Sequence, residues 1–156
     1  ARLLAHVGCV VDDADACGTV CVRNRRFPHV DGSRLGVVPS ASLGKHGNGL
    51  LGVAAVSAND VLAVGSYLDI SPYLVSQTLI LDWDGSIWSV VPSPSLSTHD
   101  NVLLGVAAVS ANDVWAVGSY RDISPYVVSQ TLILHWDGSI CSVVPSPNVG
   151  TVENGM

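Results

Sequence analysis

"ANDVWAVGSY" at residues 111–120 repeats "ANDVLAVGSY" at residues 58–67, 53 positions earlier, and the extent of that copy decides the fold. Worked outward in both directions, residues 48–94 and 101–147 align without a gap. They differ at six of 47 positions: Gly49/Val102, Leu62/Trp115, Leu68/Arg121, Leu74/Val127, Asp82/His135 and Trp88/Cys141. A fixed period of this length marks a repeat architecture, so each unit is read once and then stacked.

An eroded third copy lies upstream. "DGSRLGVVPSASLGKHGN" at 31–48 matches "DGSIWSVVPSPSLSTHDN" at 84–101 in 11 of 18 positions, in the same register. Before Asp31 the likeness falls to background. Phe27-Pro28-His29-Val30 take the slots of Ile80-Leu81-Asp82-Trp83, and Arg25-Arg26 those of Thr78-Leu79. Two charges in a strand slot predict a poorly paired segment. The chain divides into a degenerate partial blade (1–47), a blade (48–100) and a blade with a C-terminal tail (101–156).

Within a unit the pattern is that of strands. "LLGVAAVS" (103–110) and "DVWAVGSY" (113–120) flank the short "AN". "QTLILHW" (130–136) and "SICSVV" (139–144) flank "DG", a dipeptide that suits a type I′ hairpin. Such short links join only antiparallel neighbours, so each unit is a four-stranded meander. Helix competes for "LLGVAAV", but Gly105, the valines and the flanking turn signals oppose it. Leu132-Ile133-Leu134 and Val143-Val144 do not alternate with polar residues, which suits a sheet covered on both faces. The expected class is all-β: antiparallel four-stranded blades of a partial β-propeller. About 2.9 periods fit (156/53), fewer than the four to eight blades that close a ring. An open arc exposes the apolar face of a terminal blade. The chain is then a fragment of a longer propeller, a homo-oligomer closing a ring, or a marginal stack; the Ala start favours the first.

With these residues in hand, "GVAAVSANDVWAVGSY…TLILHWDGSICSVVPSP" resembles a bacterial kelch-type, galactose-oxidase-like β-propeller blade. Trp88 stands where that family opens its fourth strand with Trp. Gly65-Ser66 and Gly118-Ser119 stand where it has a Gly pair, and Cys141 replaces the Trp in the last unit. "DWDGSIW" (82–88) is also similar to the Asp-box of sialidase-like propellers, with Asp82 in place of its Ser or Thr. The resemblance implies blade architecture and no activity, and slightly favours an extracellular or cell-surface bacterial setting.

In a meander the turns alternate between the ends of the sheet. The tight "AN" and "DG" share one end. The strand 2–3 loop ("RDISPYVVS", 121–129) and the link between units ("PSPSLSTHDN", 92–101) share the other. Long loops on a rigid scaffold are where binding usually occurs. Tyr67, Asp69 and Tyr73, their copies Tyr120, Asp122 and Tyr126, and Arg121 are therefore the candidate ligand-binding residues, for a protein or glycan partner. The competing reading packs the tyrosines onto their own blade and uses the aspartates to set turns. No catalytic residue is assigned: Asp84 and Asp137 fit the hairpin, and Asp60 and Asp113 follow Asn in a turn. His46 and His99 recur in register without an acid or thiol cluster, so no metal and no cofactor is called for.

Totals exclude several classes. Net charge is −6, split +2 over residues 1–45 (6 − 4) and −8 beyond (1 − 9), which argues against a nucleic-acid partner. No apolar run approaches the ~18 residues of a membrane helix. Cys9, Cys17 and Cys21 match no common zinc spacing, and Cys141 is expected in a core. The expected function is a non-catalytic binding or interaction scaffold. A lectin-like carbohydrate-binding propeller and a sialidase- or lyase-like enzyme are the alternatives.

Overall fold

The computed structural model describes residues 38–43, 46–70, 73–123 and 127–148, with the backbone of 19–20. Arg25-Arg26, Cys9, Cys17, Cys21 and Tyr126 lie outside these residues. The described residues contain ten strands and no helix: β1 (Thr19–Val20), β2 (Val38–Pro39), β3 (Asn48–Ser57), β4 (Asp60–Asp69), β5 (Val75–Trp83), β6 (Trp88–Val91), β7 (Asn101–Ser110), β8 (Asp113–Asp122), β9 (Val128–Trp136) and β10 (Cys141–Val143). β1 and β2 pair with each other. β3–β6 and β7–β10 form two four-stranded antiparallel meanders with the same register. This is the all-β, four-stranded blade architecture expected of a partial β-propeller.

The blades stack face to face. Leu62, Val64 and Ile80 of the first sheet pack with Leu103, Val114, Ala116, Leu132 and Leu134 of the second in one buried cluster. The opposite face of the first sheet carries Val61, Ala63, Leu79, Leu81, Trp83 and Trp88, with Val38 and Ala41 against it. β4 is therefore apolar at successive positions because both of its faces are covered. β8 has almost the same sequence and a different burial: Val114 and Ala116 are buried, while Trp115 and Val117 are 39% and 47% exposed. Its second face is open.

Close backbone approach explains one glycine per blade. A Cβ on Gly65 would lie 1.9 Å from the Gly49 carbonyl oxygen, and one on Gly118 1.9 Å from that of Val102. Both sit opposite a bulge in the first strand, between Leu50 and Gly52 and between Leu103 and Gly105.

The strand 1–2 turns are the two-residue links expected. The "DG" hairpin differs. β5 and β6 are joined by four residues, 84–87, and the Asp84 carboxylate accepts from the backbone N–H of Ser86 (2.8 Å) and Ile87 (2.9 Å). Asp137 repeats this at Ser139 and Ile140 (both 2.8 Å). Gly85 and Gly138, at φ +97° and +93°, let each turn fold against Asn59 or Asn112 of the neighbouring turn. An Asp side chain closing its own loop replaces the backbone-only type I′ geometry.

Candidate functional site

The long loops gather at one end of each blade and are held there by side chains. Asn101 is fully buried. Its Oδ1 accepts from the backbone N–H of Leu96 (2.9 Å) and Ser97 (3.0 Å), and its Nδ2 donates to the carbonyls of Ser97 (2.8 Å) and His99 (2.6 Å). Buried Thr78 fastens the start of the same link, with its Oγ1 2.8 Å from Ser93 Oγ and 3.2 Å from Ser95 Oγ. Thr131 repeats the contact with Ser146 at 2.6 Å, and Asn48 accepts from Leu43 N–H at 3.0 Å as Asn101 does from Leu96. The eroded upstream copy thus keeps the linker geometry in its register.

Arg121 stands at this end, 3.2 Å from the Asp100 carboxylate in an ion pair whose side chains are about half exposed. Its N–H donates to the Asp100 carbonyl (2.8 Å), and its carbonyl accepts from the Ser97 hydroxyl. In the first blade Leu68 donates to the Gly47 carbonyl at 2.8 Å, and its side chain lies over Gly47. The pair Gly47/Leu68 therefore becomes Asp100/Arg121: an apolar contact is exchanged for an ion pair at one place. The Arg121 charge faces a partner within the chain.

Tyr67 packs against the outer cluster of the first sheet. Tyr120 packs against the cluster between the sheets, its hydroxyl 3.5 Å from Gln130. Both support their own blade, and neither meets the other. Tyr73 is the exposed member at 77%. Asp69 and Asp122 close β4 and β8, half-buried, opposite Val75 and Val128. His46 is exposed, and half-buried His99 has its Nδ1 3.2 Å from Thr98 Oγ1. Among the described residues no three His, Cys, Asp or Glu side chains converge as a metal would require. The described residues contain no helix long and apolar enough to cross a membrane.

One cluster was missed by reading loops. Trp115 and His135 are cross-strand partners on the open face of the second sheet. Their rings lie 4.3 Å apart at 36°, and Asp113 Oδ1 accepts from the indole Nε1 (2.8 Å) and meets His135 Nε2 (2.9 Å). Two of the six differences between copies thus fall on one spot, Leu62/Asp82 becoming Trp115/His135. Their symmetric placement about the strand 2–3 loop was the available signal. In the first blade, burial holds Asp82 above the usual carboxylate range, and Asp60 and Asp84 add to the effect. Asp84 and Asp137 lie below it, chiefly through the backbone N–H groups of Ile87 and Ile140.

Comparison of the chain with protein-family models, with curated proteins and with solved structures finds no match.

Proposed function

We propose that the chain is a non-catalytic, kelch-type β-propeller repeat module that acts as a binding or interaction scaffold. The observation that carries the reading is the fastened linker. Thr78 ties the start of the loop at 92–100 to the blade before it, and Asn101 ties the loop's end to the blade after it and reaches back to the Ser76 carbonyl, so that the long loops of successive blades stand at a set spacing. Copies of one surface at a set spacing suit a partner that is itself repetitive, where each added contact is intramolecular. Asp84 and Asp137, the acids of the tight turns, each cap their own turn.

The partner is a protein or a glycan met at the long-loop face. Tyr73 is the residue to probe, because it is 77% exposed, whereas Tyr67 and Tyr120 support the cores. Arrays of polymeric glycans and of tandem peptides, read with the full chain and with Tyr73→Ala, test the reading. Expected is retention by a multivalent partner that falls about fivefold or more in the variant, the loss of one interface anchor. Turnover of a glycoside substrate, or no retention on either array, would overturn it. Retention by glycans alone would select the lectin-like form.

A further inference from the structure

Each blade carries two different apolar faces, and the contact between the two blades shows how they mate. Leu62, Val64 and Ile80 of the first sheet, with Val91 beside them, receive Val114, Ala116, Leu132 and Leu134 of the second. The receiving residues recur on the second sheet as Trp115, Val117, Ile133 and Val144, three of the four identical, in the same register. The inserting residues recur on the first sheet as Val61, Ala63, Leu79 and Leu81. The contact is therefore head to tail, and the second sheet still presents an unfilled receiving face.

The centre of that face is apolar, with Asp113, His135 and Arg121 toward its two ends. Terminal units of stacked repeats turn a polar face outward. Here Trp115 is larger than the Leu it replaces, Val117 is kept and 47% exposed, and His135 removes the second carboxylate that Asp82 supplies beside Asp60. We propose that this open face is the docking site of a further blade of the same repeat, joined in tandem and inserting the Val, Ala, Leu, Leu face. A second copy of this chain fits less well. Its inserting face is already buried, with Val38 and Ala41 packed on it. The Val117–Ile133–Val144 row receives the incoming side chains, and the Asp113–His135–Trp115 cluster lies toward the tight-turn end.

The test extends the chain after residue 147 with a copy of residues 95–100 and then of residues 48–94, which keeps the period. The added blade has Leu at the Trp115 position, so oxidative footprinting with peptide mapping reads Trp115 alone. Protection of Trp115 by about fivefold or more relative to the unextended chain is expected, on the scale of a solvent-exposed ring entering a core. Val117→Lys in the extended chain should restore labelling with unchanged β-sheet circular dichroism. Ser142→Lys, an exposed residue opposite His135 on the same face, serves if Val117→Lys unfolds. Equal labelling with and without the added blade overturns the proposal, as does an added blade that stays unstructured beside an intact receiving sheet. Concentration-dependent protection of Trp115 in the unextended chain would name a second copy as the occupant, and would overturn it too.

Discussion

Asp82 and His135 take the same place in the two blades and meet different surroundings. Asp82 lies at the contact between sheets, where burial opposes its charge and Asp60 and Asp84 repel it. A carboxyl whose folded-state value is raised binds its proton more tightly when folded, so its contribution to stability declines as pH rises through the carboxylate range. Asp82→Asn should therefore raise the urea midpoint at pH 7, with the gain gone below about pH 3, where Asp is protonated in both states. Urea titrations at the two pH values check this; a gain of the same size at both would refute the electrostatic cause. Cys141 shows burial acting on the other exchange: it fills part of a Trp position, faces the inter-sheet cleft, and has its thiol pushed up to about 11. That it would sit in a core was legible from Trp88. That Asp82 and His135 share a surface with residue 62 or 115 was legible only in their symmetric placement about the strand 2–3 loop, because a list of differences does not display cross-strand pairing.

At the scale of the element, strand positions followed from the valine-rich runs and the turn signals between them, and the antiparallel order followed from the short links. Strand parity also held the answer for the tyrosines. Tyr67 is an even number of residues from Val61 and Ala63 and so joins their buried face, a count that loop-centred reasoning passes over. The "DG" turn was misjudged for a different reason. The dipeptide's backbone preference is real, but a carboxylate able to accept two N–H bonds favours the longer loop. The need for Gly118 emerges only from the bulge opposite it. Gly118→Ala places a methyl group on the Val102 carbonyl and should cost more than about 2 kcal/mol, as forced backbone shifts do. Gly105→Ala meets only Val117 Cγ2 at 3.5 Å and should change stability by less than about 1 kcal/mol. Denaturant unfolding of the two variants compares them directly; equal losses would show that the bulge yields.

For the whole molecule, the two blades offer a controlled comparison, because nearly the same sequence is covered on two faces in one and on one face in the other. Amide protection follows burial and local contact density. The amides of β4 should exchange more slowly than those of β8, by about tenfold or more if one uncovered face lowers the opening free energy by ~1.4 kcal/mol. Hydrogen exchange read by NMR decides this, and equal rates would mean that the blades open as a single unit. The uncovered face was legible as arithmetic, since two full periods and a remnant cannot close a ring. Which blade bears it was not, because the copies are too alike to be told apart until their neighbours are known.

Every ladder in the two blades joins strands that follow one another along the chain, with the linker fastened by Thr78 and Asn101 to residues no more than 25 positions away. Such a polypeptide can complete one sheet while the next is still being synthesised, without waiting for a distant segment. Ribosomal emergence, proceeding from one end, would then build the stack in order, each finished layer serving as the template on which its successor condenses.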